Sequence, residues 1–514
     1  MVLISILPKL SETERDVSGM KEVPAGIAGP HRSVEGPVLL YRKCSVPEMG
    51  NQTSCIVPIH SSSHMVPGGL LKLYAKKILP DFLFICQPPS SDMKKRLVLV
   101  KPPEVSNFNF GTFTLAVLAG AVRDAADVVL IDATELAVDK AVQKILAENP
   151  DIIGVTVMSH ESSISARNFI QSLKIGIKES CTSPIIIAGG HGASMFPEPL
   201  LEAGASAVVF GEGEITLLQI IEQGIIPGAK GICCESKEGI VRGKPQPMVF
   251  PLDRLNTPAR DLITNPGTVF LMETSRGCPH SCLFCETTRF YGRKWRPFSP
   301  SRVAEEVREL IEKYSAWIIH FADDNFAADP QRVLSICEEL QKGPLPAVIL
   351  ASARADDLFS NPGLLEAMSS AHIRRVTVGV ESLDPFTARK AGKRVPLHVY
   401  REVFKKMRTC DIFSVASFIV GLPGEIPEAR AKSVSFALEA APDSAHFLPF
   451  LPLPGTPYAK GYPSCKADPK DILDSAAYNA TFRMHNSTIS RLSEAVAAGG
   501  IRGLFAEKVL AGMV

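Results

Sequence analysis

Three cysteines lie close together in the middle of the chain, at Cys278, Cys282 and Cys285. Their thiolates are ligands that zinc and iron–sulfur clusters prefer. A structural zinc site takes four protein ligands, whereas this loop supplies three cysteines, and His280 stands awkwardly between the first two. Three thiolates on a four-iron, four-sulfur cluster would leave one iron open to an external ligand, whereas ordinary clusters of this type use four cysteines. The loop could therefore hold such a cluster, with zinc or a bare electron-transfer cluster as the alternative.

The elements that must position this loop alternate between strands and helices. The apolar stretch 269–272 predicts a strand directly before the cysteines. Five further strands follow it, separated by helices, and they predict a second α/β domain: 316–321, 347–352, 375–380, 414–420 and 444–451. Ligand-binding and catalytic groups of parallel α/β sheets lie at the carboxyl ends of the strands, and polar or glycine residues follow several of these strands.

An earlier part of the chain, residues 93–240, has its own alternation. Its five predicted strands, joined by helices, are 97–100, 127–131, 152–158, 184–188 and 207–210. This order predicts a doubly wound parallel sheet of the flavodoxin-like type, whose ligands bind at the carboxyl edge.

The rest of the chain is less informative. Residues 1–92 have no clear periodicity, and only 70–86 looks able to form structure. Residues 241–266 contain five prolines and predict a linker between the two α/β domains. We expect the second α/β domain to span 267–462 and the last part, 463–514, to be helical.

Composition limits the classes of function. The 514 residues have a net charge of +1, so the chain has no basic field for nucleic acid. No apolar run reaches the roughly 18–20 residues of a membrane span, which argues against stable membrane insertion. Most of the twelve cysteines are scattered singly, as expected for buried thiols in a reducing compartment, and we predict a cytoplasmic protein. The adjacent Cys233 and Cys234 are interpreted as small strand residues rather than a ligand pair.

The cysteine loop and the barrel motifs resemble the radical S-adenosylmethionine (SAM) superfamily. The pattern C-x3-C-x-Phe-C is followed by Gly-Val-Glu-Ser at 379–382 and Gly-Leu-Pro-Gly-Glu at 421–425. The resemblance implies a partial (β/α)6 barrel in which the cysteines hold a 4Fe-4S cluster whose open iron chelates SAM. It further implies SAM contacts from Phe284, Asp324, Arg354, Glu381, Ser382 and Gly421.

Two of these contacts have structural alternatives that the sequence leaves open. Asp323 and Asp324 are adjacent carboxylates that could instead cap the following helix. Arg354 could form an ion pair with Asp356 or Asp357 instead of binding a carboxylate of the cofactor.

Phe418 and Val420 are expected to line the adenine site.

The flavodoxin-like domain resembles the cobalamin-binding domain of one large class of radical SAM enzymes. Gly-Gly-His at 189–191 and Gly-Glu-Gly-Glu at 211–214 carry this resemblance. It implies that cobalamin is bound by Ser159, Ser163, Gly189, Gly190, Gly211 and Glu212.

The usual D-x-H-x-x-G motif, whose histidine binds cobalt, is missing from this domain. Ser106 and Phe108 stand where the motif has its aspartate and histidine. We therefore expect cobalamin to bind without a lower protein ligand, although a degenerate domain that no longer binds it remains the alternative. His191 and the weaker candidate His160 are the histidines that would contradict this expectation.

Together the resemblances cover about 93–460 and imply a cobalamin-dependent radical SAM enzyme. Such an enzyme cleaves SAM reductively to a 5′-deoxyadenosyl radical, and methylation of an unactivated carbon in a small molecule or lipid is the expected reaction. A flavodoxin or ferredoxin would supply electrons. The alternatives are an anaerobic cyclase or hydroxylase acting on a tetrapyrrole-like substrate, and a non-catalytic iron–sulfur or zinc scaffold.

Overall fold

The computed structural model describes the chain in segments that contain both predicted α/β domains. The described residues are 2–4, 38–45, 52–59, 84–86, 94–103, 111–180, 183–264, 269–453, 455–459 and 505. Contacts divide the chain into two compact units, Met1–Met93 and Lys94–Val514. The predicted C-terminal helices and the loop with Ser106 and Phe108 lie outside the described residues.

The described residues of the first unit form two antiparallel strand pairs. Strand β1 (Val2–Ile4) pairs with β4 (Phe84–Cys86), and β2 (Val38–Ser45) pairs with β3 (Gln52–Ile59). Of the stretch 70–86 predicted to form structure, only β4 is described.

The flavodoxin-like domain is a seven-stranded sheet in the second unit. Its strands are β5 (Lys95–Lys101), β6 (Ala126–Asp132), β7 (Ile152–Thr156), β8 (Ile185–Gly189), β9 (Ala207–Val209), β10 (Ile232–Ser236) and β11 (Gly239–Arg242). The spatial order is β11-β10-β9-β8-β7-β5-β6. The five strands β5–β9 are parallel, in the 2-1-3-4-5 order of flavodoxin-like folds. The predicted sheet is confirmed, and the antiparallel hairpin β10–β11 extends it.

Helices cover both faces of this sheet. They are Phe113–Val122, Val138–Ala147, His160–Glu179, His191–Met195, Glu198–Glu202 and Glu214–Gln223. Apolar side chains of the strands alternate between two cores, one on each face. Cys233 and Cys234 belong to opposite cores, as expected of adjacent strand residues.

The second domain is a six-stranded parallel sheet that begins before the cysteines. Its strands, in spatial as well as chain order, are β12 (Val269–Met272), β15 (Ile318–Phe321), β16 (Val348–Ala353), β17 (Ile373–Glu381), β18 (Phe413–Val420) and β19 (Ser444–Pro449). Two short strands, β13 (Ser275–Arg276) and β14 (Arg296–Pro297), form a separate antiparallel pair. The parallel order fits the predicted partial barrel.

Helices cover one face of this barrel sheet. They are Pro300–Tyr314, Pro330–Leu340, Ala355–Phe359, Leu364–Ser370, Leu397–Thr409 and Pro427–Ala440. Two further short helices, Thr287–Phe290 and Pro385–Lys390, have no residue in the apolar core of that face. The largest apolar core fills the space between sheet and helices. The opposite face of the sheet forms the barrel interior. A small apolar cluster that includes Phe413 and Phe505 packs there.

The proline-rich linker is packed against both α/β domains. Ala259 N donates to Ala116 O over 2.8 Å, which ties the linker to the first helix of the flavodoxin-like domain. On the barrel side, Arg260 forms a 2.6 Å ion pair with Glu306, and both side chains are buried. We call the segment 251–264 the strap.

No helix in the described ranges is long and apolar enough to cross a membrane.

Candidate functional site

The cysteine loop depends on two glycines for its path. Gly277 has φ +83°, and a Cβ there would lie 2.1 Å from the carbonyl oxygen of Lys294. Gly392 has φ +82° and supports the other side of the loop, where a Cβ would lie 2.9 Å from Ser281 O. Leu283 N also donates to the carbonyl oxygen of Ala391, the residue before Gly392, over 2.9 Å. Backbone segments therefore approach both sides of the loop so closely that a side chain would not fit at Gly277 or Gly392.

All three cysteines are partly buried and have free thiols. Burial raises the pKa of Cys278 to about 11, which favours the neutral thiol unless a positive charge or a metal stabilises the thiolate. The Nη1 of Arg354 lies 3.8 Å from Cys282 Sγ and places a positive charge beside the loop.

In the described part of the chain, no group of three or more His, Cys, Asp and Glu side chains is arranged to hold a metal ion. A zinc site needs every donor about 2.0–2.3 Å from one centre, whereas each thiolate of a four-iron cluster binds a different iron.

The loop after β15 connects to the cysteine loop through its acidic residues. Asp323 is buried and accepts from Thr274 Oγ1 and Ser275 Oγ, each over 2.6 Å. Asp324 instead accepts from Thr287 Oγ1 over 2.7 Å, two residues after the last cysteine. The structure thus gives Asp323 a structural role and places Asp324, the predicted SAM contact, beside the cysteine loop.

Arg354 follows β16 and forms the ion pair that the sequence left open. Its Nε and Nη2 donate to the two carboxylate oxygens of Asp356 over 3.0 and 2.8 Å. Its backbone N donates to Asn325 Oδ1 over 3.2 Å, while the Nδ2 of Asn325 donates to Asp357. The guanidinium therefore lies between an acidic partner and Cys282.

Glu381 ends β17 in a backbone conformation that is uncommon for a residue with a Cβ, with φ +65°. Its Oε1 accepts from Lys393 Nζ over 3.2 Å, and the side chains are 15% and 5% exposed. A Cβ on Gly379 would lie 2.3 Å from that same Oε1. The glycine of the Gly-Val-Glu-Ser segment is therefore required for the buried pair. Lys393, twelve residues away, was not predicted as the partner of Glu381.

The other predicted SAM residues lie at the same end of the barrel. Gly421, at φ +87°, donates its N–H to Glu425 Oε2 over 2.6 Å, so the glutamate closes its own turn. Ser382 is buried beside Glu381 and accepts from Asp384 N.

One predicted lining residue faces the wrong side of the sheet. Phe418 belongs to the core under the helices and stacks on Phe447 with ring centroids 4.6 Å apart. The adjacent Ile419 points the other way and, like Phe284, packs on a small cluster that includes Leu422. The prediction that Phe418 lines the adenine site was wrong, because strand side chains alternate between the two faces.

The predicted cobalamin residues lie at the carboxyl edge of the flavodoxin-like sheet. Ser159 caps helix His160–Glu179, since its Oγ accepts from Ser162 N over 3.1 Å. Gly190, at φ +112°, passes so close to Val157 that a Cβ would lie 2.5 Å from its carbonyl oxygen. Gly211, at φ +80°, would place a Cβ in open space, with no atom within 4 Å. This turn therefore leaves backbone accessible to a ligand. Two further predicted residues, Gly189 and Ser163, are partly exposed at the same edge.

Glu212 belongs to a buried ion cluster instead of a ligand surface. It pairs with Arg296 and with Arg276, which precedes the cysteine loop. Arg276 also pairs with Glu214 over 2.7 Å and with Glu273 over 2.9 Å. The side chain of Glu212 is only 9% exposed, so it is not available to cobalamin as predicted. We call these five residues the interdomain ion cluster, because they join the edge of the flavodoxin-like sheet to the cysteine loop.

His191 packs on residues that follow the cysteines. Its ring stacks on Phe290 with centroids 3.8 Å apart and meets Tyr291 edge-on at 5.7 Å. Burial and the charge of Arg276 lower the pKa of His191 to about 4. The imidazole is therefore neutral and held at the contact between the two α/β domains.

The described residues fit the implied cofactors. Three soft thiolates lie on one loop, with Arg354, Asp324 and Glu381 around it at the same end of the barrel. The open backbone at Gly211 lies at the edge of the neighbouring sheet, which the interdomain ion cluster holds against that loop. This arrangement would bring a cluster-bound ligand and a ligand of the flavodoxin-like sheet into one site.

Comparison with known families matches each α/β domain separately. The family model for the B12 binding domain matches residues 105–221. The model described as Radical SAM superfamily matches residues 272–437 and includes the three cysteines.

Individual relatives support the same pairing of domains. An uncharacterized methyltransferase of Pyrococcus horikoshii is 27% identical over 73% of this chain and 81% of its own length. An anaerobic magnesium-protoporphyrin IX monomethyl ester cyclase of Rubrivivax gelatinosus is 26% identical over 66% of this chain and 64% of its own. Among solved structures, the radical SAM methyltransferase TsrM of Kitasatospora setae has a TM-score of 0.60 at 19% identity, covering 71% of this chain and 74% of that one. That likeness shows a shared fold.

Proposed function

We propose that this chain, which belongs to the radical SAM proteins that carry a B12-binding domain, is a cobalamin-dependent methyltransferase acting on an unactivated carbon of a small molecule or lipid. The observation that supports this most is the interdomain ion cluster. It ties the cysteine loop to the carboxyl edge of the B12-binding sheet, where cobalamin would meet SAM.

The protein's own residues would bind, orient and shield the cofactors. Cys278, Cys282 and Cys285 would hold the 4Fe-4S cluster, and Arg354 would stabilise the charge of the bound thiolate at Cys282. Glu381 and Asp324 would accept hydrogen bonds from SAM, while Phe284, Ser382 and Gly421 would line its site. Ser159, Ser163, Gly189, Gly190 and Gly211 would contact cobalamin.

The cofactors supply the reactivity: when bound, they provide one-electron cleavage of SAM and a carrier for the methyl group. We expect anaerobically reconstituted protein to form 5′-deoxyadenosine from SAM when a low-potential flavodoxin or ferredoxin is supplied. The protein is then incubated with SAM carrying a deuterium-labelled methyl group and with metabolites from cells that lack the gene. We expect mass spectrometry to find the label in one metabolite. A protein that binds the cluster but never cleaves SAM would be a scaffold.

The second candidate is oxidative ring formation or hydroxylation of a tetrapyrrole-like substrate. The cyclase relatives, at 24–26% identity, favour it. The same labelling experiment separates the two reactions, because an oxidised product would carry no label from SAM.

Replacing Glu381 with glutamine should weaken SAM binding and leave the iron content unchanged. The change removes a buried carboxylate that Lys393 holds in place, and unpaired buried polar groups are costly. We expect about a tenfold higher Kd, equivalent to about 1.4 kcal/mol, by equilibrium dialysis against labelled SAM. Glu439→Gln, at an exposed ion pair with Arg401, is the matched control. Equal SAM affinity in both variants would remove Glu381 from the site.

The missing histidine predicts that cob(II)alamin in this protein shows no nitrogen superhyperfine splitting by electron paramagnetic resonance. His191, the candidate that would contradict this, is stacked on Phe290, and we expect His191→Gln to leave the spectrum unchanged. Splitting in the unaltered protein that disappears in His191→Gln would assign the imidazole to cobalt. Failure of the unaltered protein to retain cobalamin would instead indicate a degenerate domain.

A further inference from the structure

Arg375 is a buried arginine that points into the barrel interior. It lies on β17, where Val376 and Val378 face the helix-covered core. Strand side chains alternate, so Arg375 faces the opposite side. Its register neighbours on the adjoining strands are Leu350 and Phe413, and both belong to the interior apolar cluster. Arg375 is 8% exposed.

Among the described residues, the guanidinium of Arg375 has no ion-pair partner like those of Arg260 and Arg276. Arg260 pairs with Glu306, and Arg276 pairs with three glutamates. For Arg375, the Nε has no hydrogen-bond partner, and among the described residues no acidic side chain raises its pKa. Burial alone lowers that pKa to about 10. An isolated buried charge is costly unless a partner compensates it.

Other polar groups surround the same space. His320 lies in the register row of Arg375, two strands away. The charge of Arg375 helps to lower the pKa of His320, to about 4, and also that of His446. Ser444 is 1% exposed, and its Oγ is a second buried polar atom with no hydrogen-bond partner. The interior therefore offers a cation, two neutral imidazoles and a hydroxyl, with no described carboxylate against the cation.

We propose that Arg375 anchors an oxyanion group of the substrate, a carboxylate or a phosphate, inside the barrel. A planar guanidinium matches both groups with paired N–H donors, and Ser444 and the histidines supply further hydrogen bonds. The assignment of this anion to a substrate rests on the proposed function.

The position of Arg375 also limits the shape of that substrate. Glu381, at the cofactor end, lies six positions further along β17, roughly 20 Å away at 3.3 Å per residue. An acid bound at Arg375 therefore occupies the deep end of the interior. The substrate class is an elongated molecule whose acidic group is remote from the carbon that reacts.

The test uses the full chain and two simple anions. Thermal unfolding is followed in sodium chloride, sodium acetate and sodium phosphate at matched ionic strength and neutral pH. Arg375→Gln is compared with the unaltered protein and with Arg374→Gln. The control removes the same charge one residue away, where the guanidinium bonds Ser369 and Asp411.

In chloride, Arg375→Gln should unfold at the same temperature as the unaltered protein or higher, because an uncompensated charge is removed. Acetate or phosphate should raise the midpoint of the unaltered protein and of Arg374→Gln by several degrees more than that of Arg375→Gln. The more effective anion identifies the group as carboxylate or phosphate.

Two results would overturn the proposal. One is an equal anion response in Arg375→Gln and the unaltered protein. The other is a lower midpoint for Arg375→Gln in chloride with no anion response in the unaltered protein, since the guanidinium would then have a partner within the chain. SAM cleavage is measured separately. If the protein cleaves SAM but its anion response does not depend on Arg375, only this inference is refuted. If the anion response depends on Arg375 but SAM is not cleaved, only the proposed function is refuted.

Discussion

Replacing Cys282 with alanine should reduce bound iron and sulfide to background and abolish 5′-deoxyadenosine formation. The loop supplies only three thiolates, so no spare cysteine stands there to take over, and Arg354 would lose the thiolate beside it. Cys278→Ala and Cys285→Ala should behave alike. The measurements are iron and sulfide content, the visible absorption of the cluster, and chromatography of the SAM products.

The matched controls are Cys233→Ala and Cys234→Ala. Both cysteines lie in β10, in apolar cores of the B12-binding domain, and we expect neither change to affect iron content or SAM cleavage. A Cys282→Ala protein that still formed 5′-deoxyadenosine would refute the assignment of the cluster to this loop.

Replacing Arg276 with methionine should destabilise the protein by about 3–5 kcal/mol, the usual cost of removing one partner from a buried ion pair. Arg276 is 5% exposed and bonds three glutamates. In this variant Glu212 would still pair with Arg296, whereas Glu214 would lose Arg276, the partner described for it. Urea unfolding can be followed by fluorescence, because both tryptophans, Trp295 and Trp317, lie in the barrel domain.

The control for this change is Arg123→Met. Arg123 also forms an ion pair, with Asp261 in the strap over 2.8 Å, but both side chains are about half exposed. Exposed pairs contribute about 0–1 kcal/mol. If the two variants lost equal stability, the interdomain ion cluster would not hold the domains together.

Local periodicity was enough to predict most of the fold. Strand β12 has the predicted bounds, 269–272, and β18 begins one residue before its predicted range of 414–420. Elements that lack a long apolar repeat were missed, among them the short helices His191–Met195 and Pro385–Lys390. The hairpin β10–β11 was missed as well, because its outer strand is largely exposed.

Partner choice between distant residues could not be predicted from the sequence. Glu212 lies in a glycine-rich turn at a ligand-binding edge, so a ligand contact was the natural interpretation. Its partners are 64 and 84 residues away. Lys393 was missed for the same reason, since nothing near it in the sequence indicates a buried glutamate. In the sequence Arg375 is one residue of a predicted strand, and only the structure shows that its side chain faces the barrel interior.

The strap determines where this protein can be recombined with its relatives. Gly120 lies so close to it that a Cβ would meet Thr257 O at 2.2 Å, and on the other side Leu255 O accepts from Arg302. A chimera cut anywhere within 251–264 would therefore mismatch two surfaces at once. Exchanging the B12-binding domain requires the donor's strap together with the barrel surface on which it lies. The pair of domains is best treated as a single cassette for engineering.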